Sequence, residues 1–370
     1  MINNILIQCS PNKSHHLHVL SLAKYLNSRS DCNVRLLAME GDDASLFKDF
    51  DVYFAKYNPF SSIESLLRWS KIKILNIKSQ DFYLLSLSVK KIFEDSDVFI
   101  CTDLIDGYKI KRINPNCKVI WGLHGPVASN FASDIINTSS SIDLILSPGE
   151  TTTKAMKRSG NKIVEVGSLK LDSCKDINTF LNKGDVFNNN NITLLFNPHF
   201  NRNIGASLWN DFGIEILELI SKKENINIIF SPHPMLSREL KENEDIYEKL
   251  EELSLCENII IDLESNNTSN MAYDRIVDVY IGDISSHALE YMAIRERIFL
   301  FYNNRHSSNE TKVMQQSGRV FDDIDKMISQ IFVELTHEEI LKQREYVNTV
   351  FKTVENPVEK SSHAILELLK

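Results

Sequence analysis

The sequence predicts an α/β chain made of two doubly wound, Rossmann-like parallel-sheet domains. Short runs rich in Ile, Val, Leu and Phe alternate along it with longer amphipathic segments, and this strand-then-helix order is gone through twice. That is the pattern of parallel sheets covered by helices on both faces. A polar tract, Asn188 to Asn191, separates the two passes. At 370 residues, 43% of them hydrophobic and 25% charged, the chain is long enough to fill two cores.

In the first half the apolar runs 4–8, 34–38, 51–54, 97–101, 117–121, 143–146 and 163–166 read as strands, and 17–29, 83–94 and 150–159 carry helical spacing. In the second half the strands are 192–197, 226–231, 258–261, 277–281 and 298–302, with helices over 207–222, 240–253, 286–295 and 322–334. The stretch from Cys174 through the asparagine tract cannot bury a core and reads as an exposed connection. The expected division is therefore 1–175, a linker at 176–191, a second domain at 192–336, and a C-terminal helical segment at 337–370 interrupted at Pro357. Two such domains facing across a cleft describe the GT-B architecture, and by analogy with its closing helices the 337–370 segment crosses back to the first domain.

A formal net charge of -9 argues against a nucleic-acid-coating surface, so a phosphate-bearing substrate has to be drawn in by a local cleft. The cysteines, at 9, 32, 101, 117, 174 and 256, form no Cys-x-x-Cys pair and read as reduced residues of a cytosolic protein. The apolar part of the amino terminus is too short for a secretory signal, and no run approaches the roughly 18 to 20 apolar residues of a spanning helix. Leu66 to Ile74 mixes Arg68, Trp69, Lys71 and Lys73 with apolar residues. That mixture could suit peripheral contact with an anionic membrane face, though such a segment is more often a core helix or strand with solvated lysines.

The motifs sit at strand ends. In Val279 to Ala293 an apolar run breaks into Asp283-Ile-Ser285-Ser286 and then a helical pattern. If the serines open that helix, its first amides and two hydroxyls face one point where the dipole favours an anion. Glu290, one turn above Ser286, is placed to accept hydrogen bonds from ribose hydroxyls. The plainer reading has Ser286 as a cap and Glu290 in solvent. In Asn227 to Pro234 a strand ends at His233, held between Pro232 and Pro234. A rigidly mounted imidazole, protonated or as a donor, can bind phosphates and steady a leaving group; a proline-rich turn with a solvated histidine is the alternative.

In Val119 to Pro126 a further strand end carries His124 beside Gly125, suited to take a proton at neutral pH or to serve a tight turn. Asn197-Pro198-His199-Phe200-Asn201-Arg202 marks another strand end, and Gly167 to Asp172 lies just before the expected linker. Asp42-Asp43 reads as a turn away from the motifs, and no metal site is expected.

In order and spacing these residues resemble the CDP-glycerol glycerophosphotransferase family of teichoic-acid and capsule polymer synthesis, over residues 118–303. The matching elements are His124-Gly125, Gly167 to Asp172, Pro198 with Arg202, His233-Pro234, and Asp283, Ser285, Ser286 with Glu290. The resemblance implies a GT-B fold, His124 as base, and His233, Ser285 and Ser286 on the donor's phosphates. Arg202 becomes a candidate phosphate clamp and Glu290 a ribose ligand, with Pro234, His199, Gly125 and Asp283 completing the candidate set. Where the family writes Trp-His-Gly-Thr-Pro-x-Lys, this chain has Gly122-Leu123 between Trp121 and His124 and no following lysine. Where the family has Pro-Thr-x-Arg, His199 takes the threonine place and arginine comes one residue later.

The implied activity is transfer of glycerol phosphate, or a related polyol phosphate, from a CDP-linked donor to a hydroxyl of a glycan or lipid-linked acceptor with release of CMP. It needs no cofactor or metal and no nucleic-acid partner, and it would act in the cytoplasm or at the inner membrane face. The His-Pro and Ser-Ser pairing also appears in bacterial GT-B sialyltransferases and related enzymes. A glycosyltransferase using a CMP- or UDP-sugar is therefore the enzyme alternative, with a UDP-sugar 2-epimerase behind it. A non-catalytic nucleotide-binding partner in a capsule-assembly complex is the alternative from another class.

Overall fold

The structure, a computed structural model, describes residues 2–9, 16–39, 50–55, 87–102, 110–111, 113–122, 125, 141–177, 181–200, 208–263, 265, 267–283, 285–303 and 309–370. It divides into two compact units, Met1–Asp176 with Val350–Lys370, and Ile177–Thr349.

The first unit holds a seven-stranded sheet in the order β3-β2-β1-β4-β5-β6-β7. Its strands are β1 (Asn3–Gln8), β2 (Cys32–Met39), β3 (Asp51–Ala55), β4 (Val98–Cys101), β5 (Lys118–Gly122), β6 (Leu144–Ser147) and β7 (Lys162–Glu165). Every pairing is parallel, with Ile5 opposite both Val34 and Val98. β4 and β6 are buried along their whole length, which is why they read as unbroken apolar runs instead of alternating ones. The helix Leu17–Asn27 buries Leu17, Val19, Leu20, Leu22, Ala23 and Leu26, and the helix Pro357–Leu366 packs on it.

The C-terminal segment closes onto this unit through backbone contact. The Lys352 N–H donates to the Pro148 carbonyl at 2.8 Å. A Cβ added at Gly149 would lie 2.3 Å from the Val350 carbonyl oxygen, so only glycine lets the two chains pass this closely.

The second unit holds a six-stranded sheet in the order β10-β9-β8-β11-β12-β13. These are β8 (Ile192–Asn197), β9 (Ile226–Phe230), β10 (Ile259–Ile261), β11 (Val279–Gly282), β12 (Ile298–Tyr302) and β13 (Arg319–Phe321), all parallel. Counted within the unit the order is 3-2-1-4-5-6, so the direction of winding reverses between β8 and β11, and ligands of such sheets gather outside the carboxyl ends there. One face packs Phe196, Trp209 and Phe230 with ring centroids 4.9 to 6.5 Å apart. Fully buried side chains of this kind are each worth about 1.5–3 kcal/mol.

Several elements differ from the sequence expectation. The single helix expected over 240–253 is two, Pro234–Glu242 and Glu244–Ser254, because Asn243 leaves helical geometry and caps the second through Ile246 N–H at 3.3 Å. β13 and the helices Leu169–Ile177 and Asn309–Gln315 lie where no element was expected. The linker contains the short helix Lys183–Val186. Its asparagines, though exposed at 188–190, are bonded: Asn189 exchanges side-chain hydrogen bonds with Asn227, and Asn191 Nδ2 donates to the Glu224 carbonyl at 2.7 Å. Among the described residues no helix is long and apolar enough to cross a membrane.

Candidate functional site

Three strand ends of the second unit carry the candidate residues. β8 runs into Asn197-Pro198-His199-Phe200, β9 into Ser231-Pro232-His233, and β11 into Asp283 and Ser285. Asn197 is in register with Gly282 at the switch point, and a Cβ at Gly282 would meet the Asn197 carbonyl oxygen at 2.7 Å. Glycine there allows the two ends to approach.

His233 is fixed from both sides. Its N–H donates to the Pro198 carbonyl at 3.0 Å, tying the end of β9 to that of β8. It is also the N-cap of the helix Pro234–Glu242: its Nδ1 accepts the Met235 N–H at 3.2 Å, and Pro234 occupies the first helical turn where no N–H is missed. An Nδ1 that accepts leaves the proton on Nε2, so this imidazole is neutral and offers one N–H. Its ring lies 4.6 Å from His199 and 4.6 Å from Phe200, centroid to centroid, and His199 stacks on Phe200 at 4.8 Å. Burial, with a smaller contribution from His199, lowers His233 to about 3, and burial lowers His199 to about 4. Of the two forms the sequence allowed for His233, the structure has the neutral donor.

Asp283, 4% exposed, holds the framework. Its carboxylate accepts the His199 N–H at 3.0 Å and the Leu208 N–H at 3.2 Å, joining the end of β8 and the start of the helix Leu208–Ser221 to β11. Acceptor-only oxygens spent on backbone donors make it a positioning group for His199, while a carboxylate placed against a phosphate would repel it.

Ser285 caps the helix Ser286–Ile294, accepting the Ala288 N–H at 3.2 Å, and lies 3.4 Å from the Tyr280 hydroxyl. That hydroxyl donates to Asn197 Oδ1 at 2.7 Å, and burial pushes its pKa up. Ser286, exposed, is the first helical residue, at the positive end of the dipole. Glu290 is only 1% exposed, whereas Ser286 one turn before it faces solvent. The helix is buried from His287 to Met292, so it has no solvated face on which both can stand.

Two residues of the site were missed in the sequence. Tyr280 sits inside an apolar run and reads as core, yet its hydroxyl links Asn197 to the Ser285 cap. Phe200 packs against both histidines, and its adjacency to His199 was the available signal. His124, Arg202, Asp42-Asp43 and the segment 66–74 lie outside the described residues. Gly125, in the first unit, lines a pocket with His18, Pro148, Gly167, Ser168 and Phe351.

No protein-family model and no curated protein matches the chain. Solved structures do. The chain is similar over its whole length to an S. aureus MnaA–UDP co-structure, at 13% identity and TM-score 0.66 with 97% of that chain covered. A UDP-GlcNAc 2-epimerase from Neisseria meningitidis bound to UDP-GlcNAc gives 13% identity and TM-score 0.62, with 100% of this chain and 99% of that chain covered. The wall teichoic acid polymerase TagF, in a variant soaked with CDPG, gives 14% identity and TM-score 0.59, with 100% and 90% covered. At such identities the likeness is one of fold, and with two parallel, doubly wound sheets the chain has the α/β GT-B fold.

Proposed function

We propose that this chain is a GT-B transferase that moves glycerol phosphate, or a related polyol phosphate, from a CDP-linked donor to a hydroxyl of a glycan or lipid-linked acceptor and releases CMP. The observation that carries the reading is the grouping of His233, Ser285 and the first turn of the helix Ser286–Ile294 at the switch-point end of the second sheet. A neutral imidazole donating from Nε2 and a helix amino terminus both suit a diphosphate. The choice of a CDP-linked donor rests on the motif resemblance; the fold is shared with a teichoic acid polymerase soaked with CDPG and equally with UDP-bound structures.

In the proposed reaction the acceptor oxygen forms a bond to the glycerol-bearing phosphorus and the bond from that phosphorus to the CMP oxygen breaks. The family resemblance gives His124 the part of the base that takes the hydroxyl proton. The charge gathering on the departing CMP is met by the His233 Nε2–H, by the helix amino terminus and by Arg202. Positioning and charge stabilisation carry most of such a transfer.

The test is a donor screen over CDP-glycerol, CDP-ribitol, CMP-sugars and UDP-GlcNAc, with and without glycan or lipid extract. Acceptor-dependent CMP release and a new phosphodiester resonance in phosphorus NMR are expected. In that assay His124→Ala abolishes turnover while leaving CMP affinity nearly intact. A glycosidic product without retained phosphorus would replace this reading with the glycosyltransferase one, and conversion of UDP-GlcNAc with no acceptor would replace it with epimerisation. Nucleotide binding without consumption of any donor would leave only the binding-partner reading.

A further inference from the structure

We propose that Tyr280 is a positioning residue: aligned by Asn197, it holds the hydroxyl proton of Ser285 against the sheet in the empty site and gives it up to a phosphate oxygen when nucleotide enters. This rests on the reading above that the site takes a nucleotide diphosphate.

A chain of hydrogen bonds fixes which group donates to which. It begins at the Ser231 carbonyl on the end of β9, an oxygen that can only accept, so the Asn197 side chain must turn its Nδ2 to it. Asn197 Oδ1 is then the atom that takes the Tyr280 hydroxyl proton, at 2.7 Å. A phenol has one proton. With it spent on Asn197, Tyr280 Oη can only accept in its 3.4 Å contact with Ser285 Oγ, and Ser285 is the donor there. The Ser285 oxygen, as helix cap, accepts the Ala288 N–H at 3.2 Å. Each link from the Ser231 carbonyl to Ser285 thus has one possible direction.

The ring that carries this chain is held in place. Tyr280 is fully buried, packed on Tyr291 at 5.8 Å and on Phe299 at 5.4 Å between centroids. Gly282, two residues on along β11, makes room for it: a Cβ there would stand 3.0 Å from Tyr280 Cε1. Ser285 is half-buried, where the chain of bonds meets the opening of the helix Ser286–Ile294.

The outermost link is also the weakest. O–H···O bonds run about 2.5–3.0 Å, and one to an ionised oxygen is about twice as strong as one between neutral groups, so a phosphate oxygen within reach takes the Ser285 proton from Tyr280. Rotation about the Cβ–Oγ bond suffices. The cap on the Ala288 N–H stays, Tyr280 keeps its bond to Asn197, and no proton is left unmet. A neutral hydroxyl on the ligand gains less by the same exchange, so the arrangement favours phosphate over sugar at this point.

The experiment is carbon-13 NMR of protein labelled at tyrosine Cζ, whose shift reports the hydrogen bonds of the hydroxyl, titrated with CDP-glycerol and in parallel with UDP-GlcNAc. Tyr280 is the resonance absent from Tyr280→Phe and displaced in empty Ser285→Gly. When wild-type protein binds, that resonance is expected to move as Oη loses the Ser285 proton. In Ser285→Gly it should stay where it is, because no hydroxyl is there to leave. Glycine caps a helix nearly as well as serine, so the melting curve of Ser285→Gly should change little while its calorimetric affinity falls about tenfold. A Tyr280 resonance that stays put when wild-type protein binds, an equal movement in Ser285→Gly, or equal affinity in the two proteins overturns the proposal while leaving the nucleotide reading standing. Failure of both probes to bind wild-type protein overturns the nucleotide reading and this inference with it.

Discussion

Asp283→Asn isolates the framework of the site from its chemistry. The carboxylate is 4% exposed and receives two backbone donors, from His199 at 3.0 Å and from Leu208 at 3.2 Å. Asparagine has nearly the same shape but one acceptor oxygen. Whichever way its amide turns, one of the two N–H groups then faces an NH2. A charge-assisted hydrogen bond is worth about 1.5–3 kcal/mol and an unmet buried donor costs about 1–3 kcal/mol, terms that overlap, so the loss is about 3 kcal/mol. That corresponds to about a hundredfold change in a local opening equilibrium.

The assay is amide hydrogen exchange read at His199 and Leu208. Protection should fall by about two orders of magnitude at one or both, with weaker nucleotide binding, while strands β1 to β7 of the other unit are unchanged. Asp278→Asn is the matched control. Its Oδ2 alone accepts both the Thr193 N–H at 2.9 Å, near the start of β8, and Lys183 Nζ at 3.0 Å, and asparagine retains one such oxygen, so Thr193 should stay protected and nucleotide binding unchanged. Unchanged protection at both His199 and Leu208 in Asp283→Asn would refute the positioning role.

Three further outcomes are expected. Gly282→Ala places a methyl 2.7 Å from the Asn197 carbonyl oxygen, so it should destabilise the second unit by about 1–3 kcal/mol in denaturant titration and weaken nucleotide binding by displacing the end of β8. Acidification should weaken the second unit in two stages. His199 and His233, lowered to about 4 and about 3, are neutral in the folded state where the unfolded chain already binds protons, so stability is full above about pH 6.5 and declines as pH falls below it. Glu339, which the Arg319 guanidinium holds down at about 2, adds its own loss only as pH falls below about 4.5, and denaturation at stepped pH, repeated on His199→Phe, separates the stages. Gly149→Ala would drive a methyl into the Val350 carbonyl, and limited proteolysis near residues 350–356 should then be faster than in wild-type protein.

Much of the architecture is written in the chain because parallel strands covered on both faces must be apolar throughout. Each of the apolar runs from 4–8 to 298–302 coincides with an observed strand to within one or two residues at either end. β13 was not legible because it is a three-residue edge strand, Arg-Val-Phe, in which only Phe321 is buried. The break at Asn243 was missed because helical spacing continues through it, while the cap that separates the two helices is a single side-chain bond to Ile246 N–H.

Sequence alone placed His233, His199, Asp283, Ser285 and Ser286 at strand ends, since where an apolar run stops is a local property of the chain. It could not assign their parts. The neutral tautomer of His233 follows from one N–H two residues away, the burial of Glu290 from how its helix packs, and the turning of Asp283 onto backbone amides from contacts 75 and 84 residues distant in the chain. Composition and periodicity select the fold through the burial of apolar surface, which is additive and readable residue by residue. Which lone pair is free to meet a ligand depends on directional bonds between segments that only the folded sheet brings together.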